Sequence, residues 1–75
     1  MNDADRLEKQ RQKRERADRF AADLAATGMR ILEFASAAGF TRNVIYNLSI
    51  GQAPSTPEQA QRLADAFRRF RKSEN

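Results

Sequence analysis

The chain has no cysteine, no histidine and no tryptophan, and only three glycines and two prolines in 75 residues. Without cysteine there is no disulfide to staple a small domain, and the composition fits a reducing cytoplasm. Without cysteine or histidine, zinc loses its usual ligands, and general acid–base and thiol chemistry lose their commonest actors. The carboxylates are scattered along helix-forming segments among basic neighbours, and no glycine-rich phosphate loop is present. Neither an enzyme nor a bound metal or cofactor is expected. No apolar run approaches the ~20 residues of a membrane span, and the N-terminus carries no signal-peptide core. The expectation is a soluble cytoplasmic protein with one core, held by close helix packing or by a partner subunit.

What the chain does have is charge. Fourteen Lys and Arg against ten Asp and Glu leave +4, and arginine supplies most of the basic side chains. Arginine favours forked contacts to phosphate and to guanine edges, so a small basic helical chain points toward nucleic acid.

The order of elements follows from periodicity and punctuation. From about Asp5 to Ala26 the chain is built from good helix formers, and apolar residues recur at helical spacing only from Ala17, Phe20, Ala21 and Leu24. One long helix is expected, packed in its C-terminal half, solvated in its N-terminal half, and ended by Gly28. Asp5–Lys9 and Glu15–Arg19 have the i,i+4 acid-before-base spacing that supports an exposed helix. RQKRER, residues 11–16, reads either as a phosphate-binding arm or as an ordinary solvated helix end.

ILEFASAA then forms a short helix closed by Gly39, and TRNVIYNLSI another closed by Gly51. QAPSTP is a loop, and Thr56, Pro57 and Gln59 start a fourth helix as cap, first residue and capping-box partner, with Ser55 and Glu58 as the alternative frame. Its expected apolar stripe is Ala60, Leu63, Ala64, Phe67 and Phe70, with Arg68, Arg69, Arg71 and Lys72 at the dipole-favoured end. The last three residues, Ser73 to Asn75, are expected to fray. No strand pattern competes, so the fold class is all-α, with four to five helices and a long N-terminal one.

The two short helices cannot be stable alone. Gly39-Phe40-Thr41 joins them as a left-handed residue, a core side chain and an N-cap, the makings of a helix-turn-helix. Phe34, Ala35 and Ala38 would then face Ile45 and Leu48, which turns Arg42, Asn43, Tyr46 and Asn47 outward. Val44 lies between the two faces.

Residues 29–51, MRILEFASAAGFTRNVIYNLSIG, resemble the DNA-binding unit of the phage lambda repressor, Cro and xenobiotic-response-element type regulators. The matching points are Phe34-Ala35, Gly39, Ile45, Leu48 and Gly51. Pro54-Ser55 and QAQRLADAF, with Leu63, Ala64 and Phe67, resemble the family's next helix, so the likeness covers about residues 17–70. It divides the chain into a charged, partly exposed start (1–16) and a helix-turn-helix domain (17–72) whose central unit is 30–51. Three positions depart from the family pattern. Arg30 stands where a Ser or Thr usually caps, Ser49 where many relatives are acidic, and Ile50 where relatives often face phosphate with a polar residue.

The resemblance implies that the third helix lies in the major groove of double-stranded DNA, its N-terminal residues against base edges. Arg42 then suits guanine, Asn43 or Asn47 suits adenine, and Tyr46 suits a thymine methyl or a phosphate. Arg30 and Thr41 become phosphate anchors, alongside the start of the second helix. A homodimer is expected, since one such domain reads only a few base pairs. Phe67 and Phe70 either form its contact or simply close the core. The expected function is a DNA-binding transcriptional regulator of bacterial or phage type, a repressor acting by promoter occlusion. The rival reading is a helix-turn-helix module that binds a protein, as an antiactivator or adaptor. RNA binding, with Tyr46 as the only stacking candidate, ranks last.

Overall fold

The computed structural model describes residues 3–72. The expected fraying of Ser73, Glu74 and Asn75 falls outside them. Four helices follow one another: α1 (Asp3–Thr27), α2 (Ile31–Ala38), α3 (Arg42–Ser49) and α4 (Pro57–Phe70). Among the described residues there is no strand, and no helix is long and apolar enough to cross a membrane.

At about 1.5 Å per residue, the 25 residues of α1 run roughly 37 Å, most of the molecule's 46 Å long axis. Residues 3–16 are exposed, and burial begins at Ala17 and Phe20. The ion pairs formed on this limb are not the expected ones. Arg11 takes Glu8 at 2.8 Å and Glu15 at 4.0 Å, so Glu15 turns back toward Arg11 instead of forward to Arg19. The hydrogen bond and charge of Glu8 raise the Arg11 pKa further above its ordinary value.

Both short helices end in the same way. Gly39 has φ +80° and donates to the Ser36 carbonyl, while Phe40 donates to that of Ala35. Gly51 has φ +101° and donates to Leu48, while Gln52 donates to Asn47. These are Schellman endings, in which a left-handed glycine lets the chain satisfy the last free carbonyls and turn away. At the start of α4 the Thr56 hydroxyl accepts from Gln59 N–H at 3.0 Å, and the Gln59 side chain accepts from Ser55 N–H at 2.8 Å. The frame formed is that of Thr56, Pro57 and Gln59, with the Gln59 side chain reaching back one residue beyond the cap to Ser55.

The core consists of Phe20, Phe34, Ala35, Phe40, Ile45, Leu48 and Ala66, with Phe34 and Ile45 fully enclosed. Burying each of those two contributes about 1.5–3 kcal/mol. Phe67 stacks on Phe34 with centroids 4.6 Å apart and meets Phe20 edge-on at 5.4 Å, while Phe70 meets Phe34 edge-on at 6.3 Å. These phenylalanines close the core. The stripe of α4 differs from the expected one: Ala66 is buried, whereas Ala60 and Ala64 are exposed. The aromatic stack sets the rotation of α4, and alanines on either side of it follow.

Candidate nucleic-acid interface

α3 is held by one face and open on the other. Ile45 is fully buried and Leu48 is 5% exposed, whereas Arg42, Asn43, Tyr46 and Asn47 are all exposed. Val44 is half-buried against the core, which settles its allegiance to the packed side. The 3.6-residue repeat accounts for the division, since positions 45 and 48 share one face and 42, 43, 46 and 47 fall on the other.

Arg42 and Tyr46 form a unit within that open face. The Arg42 guanidinium carbon sits 5.8 Å from the centre of the Tyr46 ring, inside the range of a cation–π contact. Tyr46 remains 39% exposed, so its ring is not packed away into the core. Their i,i+4 spacing is the sequence signal for this contact.

Thr41 accepts a hydrogen bond from Val44 N–H at 3.2 Å, as an N-cap should. Its hydroxyl proton stays available to donate to an acceptor outside, so capping and phosphate contact are compatible. Arg30 precedes α2 with an exposed side chain that has no acceptor to cap with. Glu33 supplies the other half of a capping box, its carboxylate accepting from Arg30 N–H at 3.1 Å. An acid at that place was not singled out in the sequence, although the x-x-Glu spacing of a half capping box marks it. It places negative charge at the start of α2, next to the anchor that a phosphate would use. Arg30 and Tyr46 line one open cleft with Ile31, Leu32 and Glu33. Arg30 thus shares a cleft with the ring that Arg42 rests over.

Two arginines that look like free cations in the sequence are occupied at the ends of α3. Arg62 of α4 donates to the Gly39 carbonyl at 3.2 Å and lies 5.3 Å from the centre of the Phe40 ring. Arg16 of α1 donates through Nε to the Gly51 carbonyl at 2.7 Å. Gly51 also lies against α1 so closely that an added Cβ would collide with the Lys13 carbonyl oxygen. The turn before α3 is therefore tied to α4 and the turn after it to α1. Within RQKRER, Arg11 is engaged with Glu8 and Glu15, and Arg16 with Gly51, which favours a structural account of half the run's cations.

No family model, curated protein or solved structure matches this chain.

Proposed function

We propose that the protein is a lambda-repressor-like helix-turn-helix regulator that binds double-stranded DNA through α3. The observation that carries this reading is one exposed polar face, Arg42, Asn43, Tyr46 and Asn47, on a short helix buried through Ile45 and Leu48. α3 follows α2 by a three-residue turn, residues 39–41, and its ends are tied to α1 and α4. A helix held in this way presents its side chains with little freedom, which is what discrimination between bases requires. Arg42 is suited to the O6 and N7 of guanine, and Asn43 and Asn47 to the N6 and N7 of adenine. Thr41 and Arg30 fit phosphates on either side. The protein acts as a homodimer on paired half-sites about 34 Å apart and represses by occupying a promoter.

The test is a titration against the DNA upstream of its own coding region and against a scrambled duplex, at two salt concentrations. Arg42→Ala is expected to lose about 1–3 kcal/mol on the selected duplex and little on the scrambled one. Selectivity that survives both Arg42→Ala and Asn43→Ala would refute the assignment of the face.

One observation favours the protein-binding alternative. Leu32, 42% exposed, lines the same cleft as Tyr46 and gives this side of the molecule some apolar character. Failure to bind any duplex, together with a tight protein complex lost on Leu32→Asp, would establish that reading instead.

A further inference from the structure

Away from the polar face of α3, α1 and α4 leave an open groove between them. Its floor is apolar, formed by Phe20, Leu48, Leu63 and Phe67 around a cavity of about 250 Å³. A second depression, of about 290 Å³, shares Asp23, Ala64 and Phe67 with the first and continues it toward Ala26 and Arg71. The combined channel follows α1 from Arg16 to Ala26, roughly 15 Å or nearly three helical turns. Along its α4 edge stand Ala60 and Ala64, both exposed and too short to cover the floor.

The rim is strongly one-sided in charge. Arg16, Arg19, Arg68 and Arg71 border the channel, against the single carboxylate of Asp23. All four are exposed, and Arg16 has its Nε–H committed to the Gly51 carbonyl, which leaves Arg19, Arg68 and Arg71 as the open cations. We infer that this groove docks an amphipathic helix from a protein partner, one whose apolar stripe is flanked by Asp or Glu. A groove of this length accepts side chains at i, i+3, i+4 and i+7 of such a helix. The small Ala60 and Ala64 allow its backbone to come close, and Arg19, Arg68 and Arg71 can take carboxylates in forked, charge-assisted pairs. The apolar floor argues against nucleic acid, because phosphates and sugars have nothing to place on phenylalanine and leucine in a narrow channel. A second copy of this chain is a poorer fit. Among the described residues the large exposed apolar side chains are Leu7, Leu32, Tyr46 and Ile50; of these only Leu7 lies on the exposed limb of α1, with no second large apolar residue beside it there. The inference does not depend on what α3 binds.

The experiment uses the full chain and a fluorescein-labelled, stapled helical peptide of about 15 residues, with leucines at i, i+3, i+4 and i+7 flanked by glutamates. A control peptide has lysines in place of the glutamates. Saturable binding of the glutamate peptide is expected, at least ~10-fold tighter than the lysine peptide and weakened by salt. Amide shift changes in NMR should fall on Arg19, Ala60, Ala64 and Phe67. Ala64→Glu, at an exposed site that accepts either residue in a helix, should weaken binding ~10-fold while leaving the melting temperature nearly unchanged. Arg68→Glu with Arg71→Glu should flatten the salt dependence without touching the floor. The inference is overturned if neither peptide binds, if the lysine peptide binds equally well, or if the shift changes fall on Arg42, Asn43 and Tyr46. It is also overturned if Ala64→Glu turns a dimer into a monomer while the glutamate peptide fails to bind, which would give the groove to a second copy.

Discussion

At the scale of single residues, the open face of α3 has one charge, and that charge is partly preorganised. Arg42 rests over the Tyr46 ring, so less side-chain freedom is lost when the guanidinium makes a bidentate contact. This separates two roles for the tyrosine. If the ring positions Arg42, Tyr46→Phe should bind duplex within about twofold of the parent, while Tyr46→Ala should lose about 0.5–1 kcal/mol, the size of an exposed cation–π contact. Equal losses from both variants in the same titration would show that the hydroxyl touches DNA directly. Arg30 and Thr41 were both legible as residues at a helix start, and both are exposed there. Glu33 escaped notice because acids near helix starts are common, and its meaning depends on Arg30 being unable to cap.

At the scale of elements, α3 is only eight residues long and owes its place to its ends. The ending at Gly51 needs a glycine for two separate reasons. Its φ of +101° is one that side chains rarely adopt, and the backbone of Lys13 occupies the space a Cβ would need. Gly51→Ala is expected to destabilise the domain by about 1–3 kcal/mol from backbone strain alone. In a domain of this size each kcal/mol lowers the melting temperature by roughly 4–8 °C, which thermal unfolding by circular dichroism would measure. A melting temperature within a degree of the parent would refute both the left-handed conformation of Gly51 and its close approach to α1. The sequence already marked Gly51 as a helix ending, since glycine after a periodic apolar segment is a local signal. The contact with Lys13 was not legible, because nothing near either residue refers to the other.

At the scale of the whole molecule, three phenylalanines from three helices bind the fold into one unit: Phe20 on α1, Phe34 on α2 and Phe67 on α4. Phe67→Ala should therefore cost about 3 kcal/mol of stability, because it opens a cavity beside both other rings. Denaturant unfolding would measure that loss. Sedimentation at low temperature, where the variant stays folded, should show the same association state as the parent. A variant that kept its stability but lost a dimer would return Phe67 to the subunit contact proposed for it in the sequence. The same stack explains why the apolar stripe of α4 departs from its expected form at the alanines. Ala60, Ala64 and Ala66 are equally plausible on a helical repeat, and only the rotation that seats Phe67 on Phe34 buries Ala66 and leaves the other two at the groove.

By itself the sequence determined where the helices begin and end and which side of α3 faces inward. Caps, left-handed glycines and the 3.6-residue repeat act between residues a few positions apart, so their pattern can be read along the chain. Only the tertiary structure decided which arginines are structural and which are available. Arg16 reaches Gly51 across 35 positions and Arg62 reaches Gly39 across 23, distances over which no local pattern carries information. It also decided that α1 and α4 meet with small residues at the edge, leaving a basic-rimmed apolar groove. The packing of aromatic rings sets the rotation and spacing of helices, and that packing exists only once the chain has folded.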